Sequence, residues 1–216
     1  MSDEWHQPGS GRRVEPSDAF GFAWAEFSKV PVVWIVISAI VFAVQAIFGG
    51  FGAFADSRVT QVILQILGFL LVQLVSLGLV RASLVAADGG EAEVGQLFQA
   101  DHLAQYVIAS VIYSVIVGLG LVLFILPGIL AAIFLAFYGY FILDRDENAG
   151  EALMSSFELV RANFANVAFV LVLAFFVYLL GICACFVGVL VTAPLAWLMR
   201  AYTYRALTGR PAVAGP

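Results

Sequence analysis

Lysine is almost absent from this chain: it occurs once, at Lys29, and charged residues of every kind make up only 12% of the 216 residues. No basic run long enough to grip a phosphate backbone exists, which excludes nucleic acid as a partner. Cysteine is limited to Cys183 and Cys185 in one apolar run, too few for a disulfide framework. Two residues apart on a helix, they point to different faces and read as packing thiols rather than metal ligands. Histidine is limited to His6 and His102, and neither has a Cys or Glu at ligand spacing on a common face. No Gly-rich phosphate loop, nucleophile elbow or HExxH pattern occurs. Every Asp and Glu falls in a tail or connector, none inside an apolar run. The acidic cluster Asp144, Asp146, Glu147 and Glu151 is what a solvated connector looks like. These absences exclude the common catalytic and metal-binding constellations, so the expectation is a protein that is not an enzyme and carries no cofactor.

Apolar side chains are what the chain has instead. Hydrophobic types make up 62% of it, against about 45–50% in soluble domains. One soluble core of this size cannot bury that excess, so a bilayer must solvate much of it. About 20 apolar residues cross the hydrocarbon, and four apolar runs are long enough to count: 31–48, 60–84, 105–143 and 166–204. The last two have 39 residues each, enough for two short spans apiece. Gly and Pro in 118–128 supply a turn for one pair, and Gly181 or Gly188 for the other. The expected fold is all-α: a polytopic membrane protein with six transmembrane helices in three hairpins. Residues 1–16 read as a polar tail, 17–210 as the membrane domain and 211–216 as a C-terminal tail.

Positive charge orients the spans. Arg12, Arg13, Lys29, Arg81, Arg145, Arg161, Arg200, Arg205 and Arg210 fall on one side and only Arg58 on the other. By the positive-inside rule, both termini lie in the cytoplasm. The lysine-poor composition, with abundant Ala, Val and Gly, suits a high-GC bacterial genome, so the expected location is a bacterial plasma (inner) membrane.

Each hairpin is preceded by an amphipathic segment. Leu153, Phe157, Val160 and Phe164 are spaced 4, 3 and 4 apart, one face of a helix lying in the headgroup layer. Ser17 and Asp18 can cap a similar helix holding Phe20, Trp24 and Phe27. Val94, Leu97 and Phe98 begin a weaker one. A shift of 60 aligns Gly68, Gly128 and Gly188, and also Leu70, Leu130 and Leu190, which fits a parallel repeat of about 60 residues.

Two sets of polar residues are candidates for function. Arg81, Arg161, Arg200 and Arg205 are placed to contact lipid headgroups or a partner's carboxylates, Arg81 and Arg200 by snorkelling. Gln61, Gln65, Gln73 and Ser76 fall near one helix face and are placed either to line a polar path or to bond a neighbouring helix.

The Pro127-Gly128 span start, the helix with Ala152, Leu153, Ser156 and Phe157, and the Tyr-rich segment PLAWLMRAYTYRALTG resemble the YciC-like inner-membrane proteins. They also resemble the membrane domain found with glycerophosphoryl diester phosphodiesterases. The resemblance implies a multi-span inner-membrane protein and carries over no phosphodiesterase, because no segment is long enough for that soluble domain. The expected function is an accessory, scaffolding or assembly component of a membrane complex or of membrane homeostasis. Its partners would be membrane lipids and other membrane proteins or a second copy. The alternative is a transporter or lipid-handling protein for a neutral solute or lipid.

Overall fold

The computed structural model describes residues 14–51, 57–183, 188–209 and 212. Those residues are mostly helical, with no strand among them. The helices are α1 (Pro16–Lys29), α2 (Pro31–Phe51), α3 (Arg58–Ala87), α4 (Leu103–Leu123), α5 (Ile125–Phe134), α6 (Tyr138–Arg145), α7 (Ala149–Ala162), α8 (Phe164–Cys183) and α9 (Val189–Leu207), with a 3-10 turn at Val94–Phe98 between α3 and α4. The tail residues 1–13, Cys185 and Arg210 lie outside the described residues.

Four segments are long and apolar enough to cross a membrane: α3, α4, α5 continued by α6, and α8. A fifth candidate is the pair α1 and α2, which meet at 98°. Length and apolarity therefore support four or five spans where the sequence reading expects six. The exception is α9. It is the least lipid-like of the long helices because it carries Arg200, Arg205 and Pro194, yet eleven of its residues are buried. It packs against α1, α2, α3 and α8. A helix enclosed by protein need not be apolar on every face.

The turn between α4 and α5 falls where the Gly- and Pro-rich stretch places it. Phe124 alone is extended, and a Cβ on Gly120 would stand 2.8 Å from Gly128 Cα, so only glycines let these two helices approach so closely. Pro127 sits in the first turn of α5, where its missing N–H costs nothing. Pro194 lies within α9 and does not end it.

The real break is elsewhere and contains no proline. Between α5 and α6 the chain loses helical register at Leu135–Phe137. Ser156 of α7 repairs it: its Oγ accepts from Phe137 N–H at 3.0 Å and donates to Phe134 C=O at 3.0 Å. Apolar surroundings leave no water to do this, so one hydroxyl satisfies both freed groups.

The amphipathic helices begin and face differently from the sequence reading. Asn148, with Glu151 at N3, closes a capping box on α7. Its buried face is Ala149, Ala152, Leu153, Ser156 and Val160, whereas Phe157 and Phe164 are exposed. In α1 the N-cap is Glu15 rather than Ser17 or Asp18, with Pro16 preset for the first turn. Its buried face is Ala19, Phe22, Ala23, Glu26 and Phe27, leaving Phe20 and Trp24 outward. Small residues thus turn towards the bundle, where backbones pack closely, and several bulky ones turn away.

Candidate functional site

The C-terminal ends of α3, α6 and α9 and the N-terminal end of α4 share one end of the molecule. Their charged residues meet there. The Arg205 guanidinium donates to Asp144 at 2.6 Å and to Asp88 at 2.7 Å, with its side chain only 4% exposed. Tyr204 Oη donates to the other oxygen of Asp144 at 2.9 Å. Arg81 donates to Gln99 and to Asp101 C=O, and His102 stands 3.0 Å from Asp146. Glu147, in the connector before α7, is held above the usual carboxylate range by burial, against opposing effects from Ser155 and Arg145. No group of three or more potential metal ligands forms among the described residues.

One helical turn or more inside this charged end lies a cavity of about 670 Å³, bounded by α3, α4, α5, α6, α8 and α9. That volume is within the range of small-molecule sites. Its walls change character along the bundle axis. Near the charged end it is polar: Tyr138, Tyr140 and Arg200 line it from the last two turns of α6 and α9, and Ser110 from the first two turns or so of α4. Further in come Ser76 and Gln73. At the far side the lining is Phe69, Ile129, Val172 and Phe175, and all four are exposed on the outer surface. The cavity therefore has a polar inner end and an apolar rim on the outer, apolar face of the bundle.

Several of the polar groups already have partners. Tyr138 Oη is 3.0 Å from Ser110 Oγ, which donates to Tyr106 C=O. Tyr140 Oη donates to Trp197 C=O at 3.2 Å. Others have none. Arg200 makes no hydrogen bond or ion pair to the described residues, and its Nε is fully enclosed without a partner. Its guanidinium rests on the Trp197 ring, 5.2 Å from the centroid. Gln73 is only 8% exposed, yet its amide bonds to none of the described residues, and neither does the Ser76 hydroxyl. A buried polar group left without a partner costs about 1–3 kcal/mol. Arg200 Nε is enclosed in that way, and the Gln73 amide and the Ser76 hydroxyl line the same cavity, so the three together favour polar contents.

The eight candidate side chains separate accordingly. Arg200, Gln73 and Ser76 come together in the cavity. Arg205 is sealed between two carboxylates and is unavailable to a headgroup, because burial forces it to be paired. Arg81 is engaged with Gln99 and Asp101 at the surface. Arg161 is exposed on α7. Gln61 and Gln65 lie nearer the start of α3 and do not line the cavity. Tyr106, Tyr113, Tyr138 and Tyr140 are among the lining residues that sequence reasoning missed. The sequence signal was present in the serines at 110 and 114 and the tyrosines at 106, 113, 138 and 140, a concentration of hydroxyls within apolar runs.

No protein-family profile matches the chain, and no solved structure matches it. It is similar to Uncharacterized protein Rv2560 of Mycobacterium tuberculosis and to Uncharacterized protein Mb2590 of Mycobacterium bovis. Each is 24% identical over 233 aligned residues, which cover 94% of this chain and 71% of the relative.

Proposed function

We propose that this chain is a lipid-handling protein of a bacterial plasma membrane, holding a membrane amphiphile in the cavity between α3, α4, α5, α6, α8 and α9. The observation that carries the reading is the cavity's polarity gradient, from unpartnered Arg200, Gln73 and Ser76 inside to an exposed apolar rim. An amphiphile has the same gradient, and entry through an apolar rim spares its tail any contact with water. In this reading α2 and α9 also cross, making six spans with α9 at the centre. Both termini are cytoplasmic, and Phe20, Trp24, Phe98 and Phe157 lie in the headgroup layer. Helices α4 to α9 then form two consecutive hairpins of one repeated unit. No catalytic step is assigned to the site, since no carboxylate or histidine among the described residues lines the cavity.

The test is to extract the tagged protein into polymer nanodiscs and compare its lipids with the bulk membrane by mass spectrometry. Enrichment of one lipid class, abolished by filling the cavity with Ala132→Phe, is the expected result. Enrichment unaffected by that substitution overturns the reading. A stoichiometric protein partner without lipid enrichment returns the weight to an accessory or scaffolding role.

A further inference from the structure

Resting on the lipid-handling reading, we infer that the cavity is selective for an anionic amphiphile, a single phosphate or carboxylate headgroup on an acyl chain, with Arg200 as the residue that selects it. The argument begins with charge. Among the described residues, Arg200 is the only ionisable side chain other than tyrosine that lines the cavity. Asp144, a buried carboxylate at the charged end, is bonded to Arg205 and Tyr204 and does not line the cavity. The cavity therefore carries one uncompensated positive charge.

The depth of that charge matters. Arg200 is seven residues before the end of α9, or about 10 Å along the helix axis. An arginine there is costly without a counter-charge, and such residues face protein or a polar cavity. A long side chain can snorkel, but this one lies over Trp197, with Nε enclosed and unpartnered. The Trp197 ring supports the guanidinium on one side. The fork of N–H donors matches a phosphate or carboxylate, to which a bidentate bond is favoured.

Selection also follows from what is missing. A quaternary ammonium headgroup would bring a second positive charge beside Arg200, with no lining carboxylate to offset it. A neutral glycerol headgroup would satisfy Gln73 and Ser76 but leave Arg200 unpaired. An anionic headgroup satisfies all three, and the tail runs from Ser76 towards Phe69, Ile129 and Phe175.

The experiment uses the full chain in nonionic detergent, with scintillation-proximity binding of tritiated 1-oleoyl lysophosphatidic acid and of tritiated monooleoylglycerol, which share a chain and differ in the phosphate. Lysophosphatidic acid is expected to bind at least tenfold more tightly. Arg200→Gln is expected to lower its affinity about ten- to a hundredfold, the range for losing a charged hydrogen bond. Monooleoylglycerol binding should be unchanged by that variant. Arg200→Lys should recover part of the loss, and Ala132→Phe should abolish binding of both probes. Equal affinity for the two probes, still lost in Ala132→Phe, would overturn the anionic selectivity while leaving the lipid-handling reading intact. Binding of either probe that ignores Ala132→Phe would overturn both. Displacement of lysophosphatidic acid by inorganic phosphate at equal concentration would identify a free-anion site and also overturn the amphiphile. The comparison of the two probes needs no arginine variant, so misfolding of Arg200→Gln does not remove the test.

Discussion

The substitution Ser156→Ala probes the packing logic most directly. Ser156 is fully buried, and its hydroxyl is the partner of both the Phe137 N–H and the Phe134 C=O at the break between α5 and α6. Alanine removes 1 oxygen and leaves two backbone groups unpaired. At about 1–3 kcal/mol for each orphan, the loss is on the order of 2–6 kcal/mol. Alanine is smaller and apolar, so no steric clash contributes. The control is Glu158→Ala on the exposed face of the same helix, expected within about 0.5 kcal/mol of wild type. The assay is reversible unfolding in mixed micelles by titration with sodium dodecyl sulfate, followed by circular dichroism. Hydrogen exchange at 134–138 should also rise in Ser156→Ala. If Ser156→Ala is as stable as Glu158→Ala, the bridging role of this hydroxyl is refuted, and α7 is merely lying against the bundle.

Three further outcomes follow from the same contacts. Asp144→Asn should destabilise by about 2 kcal/mol, since it takes a charge from the sealed Arg205. Asp88→Asn should cost under about 1 kcal/mol, because Asp88 is half exposed; equal losses in the same unfolding assay would contradict the assignment, and adding Arg205→Met to Asp144→Asn should restore part of the stability. Gly78→Val should displace the 3-10 turn, because a Cβ there meets Leu97 Cα and stands 2.8 Å from Gln96 C=O. A cost of about 1–3 kcal/mol with faster hydrogen exchange over 91–99 is expected; unchanged exchange would mean that the turn is not held by α3. Cysteine accessibility to an impermeant maleimide settles orientation: with Cys183 and Cys185 replaced by serine, Gly209→Cys should be protected in intact cells and Arg58→Cys labelled. The reverse pattern would invert the topology.

Much of the fold could be read along the chain because its determinants are local. Run length and apolarity identify α3, α4 and α8 as spanning candidates. Gly120, Pro127 and Gly128 mark the turn at Phe124, and the apolar spacing from Leu153 onward marks α7, whose capping box closes between adjacent turns. The inward face of α7 was harder to read. Leu153 and Val160 belong to it, but Phe157 does not. Hydrophobicity favours the bulky stripe, while close approach to α4, α5 and α6 favours the small one.

The sequence by itself determined a helical chain with several runs long and apolar enough to cross a membrane and its charges gathered at their ends, because composition and periodicity act within a single helix. Only the tertiary structure decided which arginine is paired and which is not. Arg200 and Arg205 lie five residues apart on one helix, and nothing in that spacing distinguishes them. Arg205 meets Asp88 and Asp144, 117 and 61 positions away in the chain. Arg200 meets the Trp197 ring and a cavity whose walls come from six helices. The reason is physical: the field at a side chain is set by the charges and dipoles within a few ångströms of it, and in a folded chain those neighbours come from distant segments.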